Sequence, residues 1–160
     1  MESTKRILVI DDNQDILYTL EQICMFQKWK PLLAASYREA EGFIRRGNVD
    51  LILVDYHMPG TDGITAVREI RKSLPRIPVI VLTIEEEGEI VKRFMEAGAD
   101  DYALKPVKAI DLISRIKVHL QYYERNQYYG NHDKGISGIT LKKVEECFSV
   151  NNAVVVCVSE

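Results

Sequence analysis

The fold class predicted by this 160-residue sequence is α/β, with a doubly wound parallel sheet. Three observations predict it. Short apolar runs recur along the chain, "RILVI" (6–10), "PLLAA" (31–35), "LILVD" (51–55) and "IPVIVLT" (77–83), with a weaker "DYALK" (101–105). Runs of this kind without polar alternation belong to strands buried on both faces, as in a parallel sheet. Between them lie stripes at helical spacing, and Gly47, Pro75 and Gly98 stand where helices should stop. Repeated βα units of this length build one sheet with helices on both sides.

Taken in order, the first strand (6–10) runs into Asp11, Asp12 and Asn13 and then a helix over 14–27. Ile16, Leu17, Leu20, Ile23, Cys24 and Gln27 share one face of that helix. The second strand (31–35) leads to a helix over 36–46. The third (51–55) ends on Asp55, and the chain turns at Pro59 and Gly60 before a helix carrying Ile64, Val67, Ile70 and Leu74. The fourth strand (77–83) precedes a helix over 86–97, and the fifth (101–105) one over 107–120.

Composition narrows the function classes. The chain is 46% hydrophobic and 28% charged, as for an ordinary globular domain, and its net charge of −3 argues against a surface that coats nucleic acid. Cys24, Cys147 and Cys157 form no CxxC and no even framework, which fits a reducing compartment. With only His57, His119 and His132 beside them, a cysteine–histidine metal cluster is not expected. The apolar "ILVI" near the start is too short for a signal peptide or a membrane span, so a cytoplasmic protein without membrane contact is expected.

Ligands of a doubly wound sheet bind at the carboxyl ends of its strands. Here those ends carry Asp11 and Asp12, Asp55, Thr83 and Lys105. Each acid alone could be a helix cap, as Asp12 or Asn13 could be for 14–27, but five such groups at one edge make a site. Three carboxylates repel, at about 4 kcal/mol per pair for a separation of about 4 Å and an effective dielectric of about 20. Lys105 supplies one compensating charge, and a hard divalent cation would supply two more. Mg²⁺ suits such a site because it keeps several waters and needs few carboxylates, and Mn²⁺ is a possible substitute. A phosphodonor could then approach Asp55, whose in-line attack yields an acyl phosphate, with Thr83 and Lys105 bonding the phosphoryl oxygens.

Other readings of the site fit less well. A dinucleotide-binding turn would need glycines after the first strand, where "VIDDNQD" places acids. A phosphatase of the haloacid-dehalogenase type also uses an aspartyl nucleophile after a strand, but its D-x-D places a second acid where His57 stands. A degenerate module used only for binding would not need the full set of acids.

The segments "ILVIDDN", "LILVDYHMPGTDG", "IPVIVLT" and "AGADDYALKP" resemble the receiver domain of two-component response regulators over about residues 5 to 122. The spacings agree, 28 residues from Asp55 to Thr83 and 50 to Lys105. The resemblance implies a flavodoxin-like sheet of order 2-1-3-4-5 and phosphorylation of Asp55 by a histidine kinase or phosphotransfer protein. Any enzymatic activity would be limited to slow self-dephosphorylation. It implies Mg²⁺ bound directly by Asp12 and Asp55 and by the backbone carbonyl of His57, with Asp11 acting through water. A cis Lys105–Pro106 bond and a switch pair of Thr83 and Tyr102 belong to the same expectation. Ile84 stands where the family usually has Ala or Gly, and is expected to crowd the phosphoryl site. Glu96, Asp101, Arg115 and Lys117 resemble the dimer face of the winged-helix transcription-factor subfamily, which implies a homodimer formed on phosphorylation.

The expected organisation is a receiver at 1–122, a linker at 123–139 and the start of an output segment at 140–160. "QYYERNQYYGNHDKGISG" reads as the last helix overrunning into that linker. "TLKKVEECFSV" follows as a helix with Leu141, Val144 and Phe148 on one stripe, and "KGISGITLKKVEE" resembles the start of the helix-turn-helix output domain of citrate- and malate-type regulators. Residues 121–160 carry four basic and five acidic side chains, so DNA contact would require an output domain not complete here. A stand-alone phosphorelay receiver is the alternative to a transcriptional regulator.

Overall fold

The computed structural model describes residues 4–86 and 88–130. Five strands, β1 (Arg6–Ile10), β2 (Lys30–Ala34), β3 (Leu51–Asp55), β4 (Val79–Thr83) and β5 (Asp101–Leu104), alternate with helices α1 (Gln14–Phe26), α2 (Tyr37–Arg46), α3 (Gly63–Ser73), α4 (Gly88–Ala97) and α5 (Ala109–Gly130). The sheet order is β2-β1-β3-β4-β5 and every pairing is parallel. The predicted strands all form, and element ends differ from the sequence reading by a residue or two except at the end of α5.

Alternation along each buried strand divides the core between two faces. Leu8, Ile10, Ile52, Val54, Val79 and Val81 join side chains of α2, α3 and α4, among them Ile44, Val67, Ile70 and Phe94. Ile7, Val9, Leu51, Leu53, Ile80 and Leu82 join Leu17, Leu20 and Cys24 of α1 and Leu112, Ile116 and Leu120 of α5. All five residues of β3 and of β4 are buried, which is why those runs lack polar alternation. Each buried aliphatic side chain contributes about 2 kcal/mol.

The helix ends follow local chemistry. Asn13 caps α1, its side chain accepting the N–H groups of Asp15 and Ile16, and Ser36 and Asp62 cap α2 and α3 in the same way. The cap of α1 is therefore Asn13 and not Asp12. At the far end of α1, Lys28 N–H donates to Met25 O and Trp29 N–H to Cys24 O, and α4 closes identically through Gly98 and Ala99. Gly98 takes the left-handed backbone of this motif at φ 112°, whereas in α1 the position is held by Lys28 at φ 60°. A side chain at that backbone angle costs about 1 kcal/mol, partly offset by the greater entropy glycine loses on folding. Lys28→Gly is therefore expected to stabilise the protein by about 0.5 kcal/mol. Thermal denaturation should show a raised midpoint, and an unchanged or lower one would mean that the Lys28 side chain makes compensating contacts.

Helix α5 continues past the end expected at 120 as far as Gly130, so the last helix overruns into the expected linker over 123–130. Tyr123 packs against the core beside the start of the sheet, and Glu124 pairs with Lys5, so the overrun has partners far away in sequence. One compact unit of the chain spans residues 1–127. The rest of the expected linker and the output segment at 140–160 lie outside the described residues.

Candidate functional site

The strand ends bring the expected groups together. Asp55 is the last residue of β3, next to β1 on one side and β4 on the other. Lys105 follows β5 and is fixed by its N–H to Thr83 O at 2.7 Å. From there its ammonium reaches across the sheet and lies 2.8 Å from Asp11 Oδ2 and 2.8 Å from Asp55 Oδ1. The side chains of Lys105, Asp11 and Asp55 are 14%, 0% and 5% exposed, so this ionic bridge is largely shielded from water.

Asp12 is exposed, and one carboxylate oxygen from each of Asp11, Asp12 and Asp55 lies within 4.8 Å of the others. This all-oxygen set fits a hard divalent cation such as Mg²⁺. Both oxygens of Asp11 are already in use, Oδ2 by Lys105 and Oδ1 by the N–H of Asn13 at 2.9 Å.

Burial pushes the Asp55 carboxyl above the usual carboxylate range and the charge of Asp11 adds to this, while Lys105 and the His57 N–H pull the other way. Burial acts to lower the Lys105 ammonium, but its bonds to Asp11 and Asp55 outweigh it and hold the ammonium above the ordinary lysine value. Thr83 is fully buried at the end of β4, and its hydroxyl oxygen accepts the N–H of Glu85 at 2.9 Å. With its oxygen so engaged, the hydroxyl proton is left to donate. The Lys105–Pro106 peptide is cis.

Two loops frame this mouth. The chain leaving β3 is fixed by Tyr56 N–H to Leu82 O at 2.9 Å and by Gly63 N–H to Tyr56 O at 3.0 Å. Gly63 is required here because an added Cβ would lie 2.6 Å from Tyr56 Cα and 3.0 Å from Asp55 O. His57 Nε2 faces Glu85 Oε1 at 3.4 Å, linking the β3–α3 loop to the β4–α4 loop. Ile84 is 64% exposed, so any hindrance it offers acts from the solvent side.

The remaining expected residues lie on α4, β5 and α5. Tyr102 is half-buried against the core and packs at a tilt against Phe94. Asp101 accepts Arg115 Nη1 at 2.9 and 3.0 Å, faces His119 Nε2 at 3.2 Å and accepts the N–H of Tyr102 at 2.8 Å. Burial acts to raise Asp101, but His119, Arg115 and the Tyr102 N–H together bring its carboxyl below the usual range. Arg115 also donates to Asp111, and Glu96 lies 4.0 Å from Lys92 on its own helix. Asp101 and Arg115, both expected on a dimer face, are thus paired within one chain, while Lys117 is exposed.

Sequence reasoning overlooked Glu85 and Phe94. The one available signal for Glu85 was its place two residues after Thr83, as His57 stands two after Asp55. Phe94 read only as one more apolar residue of a helical stripe.

Comparison with known proteins gives consistent results. The family described as response regulator receiver domain matches residues 7–117. The transcriptional regulatory protein BaeR of Escherichia coli O6:H1 is 34% identical over 122 residues, 75% of this chain and 50% of its own. The phosphate regulon transcriptional regulatory protein PhoB of Escherichia coli K12 is 37% identical over 118 residues, 71% of this chain and 50% of its own. The chain thus spans about half the length of these two relatives. A crystal structure of a CheY-like receiver domain protein from Methanospirillum hungatei superposes with a TM-score of 0.74 at 32% identity, covering 78% of this chain and 99% of that one.

Proposed function

The chain belongs to the response regulator receiver domain family, and from that membership we propose that it is a phosphorylation switch whose acceptor is Asp55. The donor is a phosphohistidine of a sensor histidine kinase or phosphotransfer protein. The observation that carries this reading is the Lys105 ammonium bridging Asp11 and Asp55 at 2.8 Å, with Asp12 beside them.

Asp55 is held by the Lys105 ammonium and has lost most of its water, so it presents a fixed carboxylate oxygen to an incoming phosphorus. A P–O bond forms to that oxygen as the P–N bond of the donor breaks, and the bonding pair stays on the imidazole nitrogen. Mg²⁺, or Mn²⁺ in its place, held by Asp12, Asp55 and the His57 carbonyl with Asp11 acting through water, would supply the positive charge that lets a dianionic group approach three acids. Lys105 then pairs with the phosphoryl oxygens, and the Thr83 hydroxyl donates its free proton to them. Drawing Thr83 toward the phosphoryl group opens space behind it for Tyr102. The role is stoichiometric signalling, with slow self-dephosphorylation as the only turnover.

The names of BaeR and PhoB point to transcription as the controlled output, through a domain beyond the matched half. Homodimerisation through Glu96, Asp101, Arg115 and Lys117 would require the intrachain Asp101–Arg115 pair to exchange for an interchain one.

Incubation with acetyl phosphate and Mg²⁺ should add one phosphoryl group by intact mass. Asp55→Asn should lose the added mass, as should wild-type protein with excess chelator. Undiminished labelling of Asp55→Asn would sink the assignment. The same variant has a stability signature. A carboxyl raised in the folded state contributes stability that is complete below its unfolded pKa and is lost as pH rises through the folded pKa. Asparagine removes that loss, so Asp55→Asn should melt higher than wild type at neutral pH, and the gain should fade on acidification. A variant that melts lower at neutral pH would mean that Lys105 stabilises the ionised acid more than burial destabilises it.

A further inference from the structure

Phe94 is fully buried on α4, and a ring from each of two other elements packs against it. Tyr56, from the loop after β3, approaches with ring centroids 5.7 Å apart and planes at 61°. Tyr102, from β5, lies at 6.0 Å and 53°. Tyr56 also meets the His57 imidazole edge to face at 4.5 Å. The four rings form a file that begins two residues from Asp55 and ends at Tyr102. Tyr56 meets Phe94 edge to face and Tyr102 meets it at a tilt, and among the described residues the two tyrosines form no ring pair with one another.

The Phe94 ring and the Tyr56 backbone have little room to yield. Tyr56 is tied at both its N–H and its carbonyl, and the start of α3 presses on its Cα at Gly63. Phe94 has no exposed surface. Phe94 is the fully buried ring of the four, whereas Tyr56 and Tyr102 are half-buried and His57 is exposed, so displacement of either tyrosine meets Phe94 on its inner side. A close-packed interior answers displacement by repacking between discrete arrangements, not by compressing.

We propose that Phe94 couples the acceptor loop to β5, so that the ring of Tyr102 cannot change its position independently of Tyr56 and the loop that carries Asp55. Its functional half rests on the acceptor reading of Asp55, and by reciprocity whatever fixes Tyr102 also biases that loop.

The test combines two measurements in wild type and in Phe94→Leu, which keeps an apolar side chain but removes the ring; Phe94→Met serves if the leucine variant does not fold. In the first, urea unfolding is measured for Tyr56→Leu, Tyr102→Leu and the pair. With Phe94 present, the effect of the pair on the unfolding constant should differ from the product of the single effects by about threefold or more. In Phe94→Leu the single effects should multiply to within about 1.5-fold. In the second, beryllofluoride and Mg²⁺ are added and the amide resonances of Asp101, Tyr102 and Ala103 are followed by NMR. They should shift in wild type and move less than about half as far in Phe94→Leu, although beryllofluoride still binds. Single effects that multiply in the presence of Phe94, or a full β5 response in Phe94→Leu, would overturn the proposal. Coupling in the unfolding data with no beryllofluoride response in any variant would uphold the ring coupling and remove the acceptor reading instead.

Discussion

Lys105→Met is expected to lower stability by about 3 kcal/mol at neutral pH and to abolish labelling by acetyl phosphate. Methionine fills much of the same space, so packing changes little, but Asp11 and Asp55 lose the ammonium that now lies 2.8 Å from each. Both acids are buried, and uncompensated buried charges are far more costly than exposed ones. The pH dependence has a definite sign. Asp55 is already raised by burial, and removing the ammonium raises it further. The variant should therefore hold protons that the unfolded chain has released, and its deficit against wild type should shrink as pH falls through the raised value. Urea unfolding at neutral pH and near pH 5 measures both parts. A deficit that stays constant or grows on acidification would mean that Lys105 acts through packing and not through its charge.

Gly63→Ala is expected to cost about 2–3 kcal/mol and to slow phosphorylation as well. The added methyl would meet Tyr56 Cα at 2.6 Å, and that atom belongs to a backbone bonded to Leu82 O on one side and Gly63 N–H on the other. Relief must come from moving either the loop after Asp55 or the start of α3, and the first displaces the acceptor. Denaturant unfolding gives the stability change, and the rate of mass gain with acetyl phosphate gives the functional one. Wild-type rates in a destabilised variant would show that α3 moves and the loop does not.

Some of this arrangement is legible in sequence because it depends on local patterns. Short apolar runs without alternation, bounded by turn residues and separated by helical stripes, read as strands of a covered sheet, and the strand-end rule then gathers Asp11, Asp12, Asp55, Thr83 and Lys105. What stays hidden depends on tertiary geometry. Asp12 and Asn13 are both competent caps, and only the folded backbone shows Asn13 taking the role, which leaves Asp12 to the site. Helix α5 runs past its apolar stripe because Lys5 and the core hold Glu124 and Tyr123, contacts that no local period encodes. Asp101 and Arg115 are complementary whether they meet in one chain or two, so sequence alone does not assign the pair. Tyr56, Phe94 and Tyr102 are separate apolar positions until α4 docks and brings their rings into contact.

The central claim is that the carboxylate at position 55 carries the phosphoryl group, and chemical mapping of the modified residue tests it most directly. Protein treated with acetyl phosphate and Mg²⁺ is reduced with borohydride, which converts an acyl phosphate to the corresponding alcohol, and is then digested and sequenced by mass spectrometry. The reduced side chain should appear at Asp55 alone, within "LILVDYHMPGTDG", and should be absent from untreated protein. Reduction at Asp11 or Asp12, or a stable phosphate on a hydroxyl residue such as Thr83, would contradict the account.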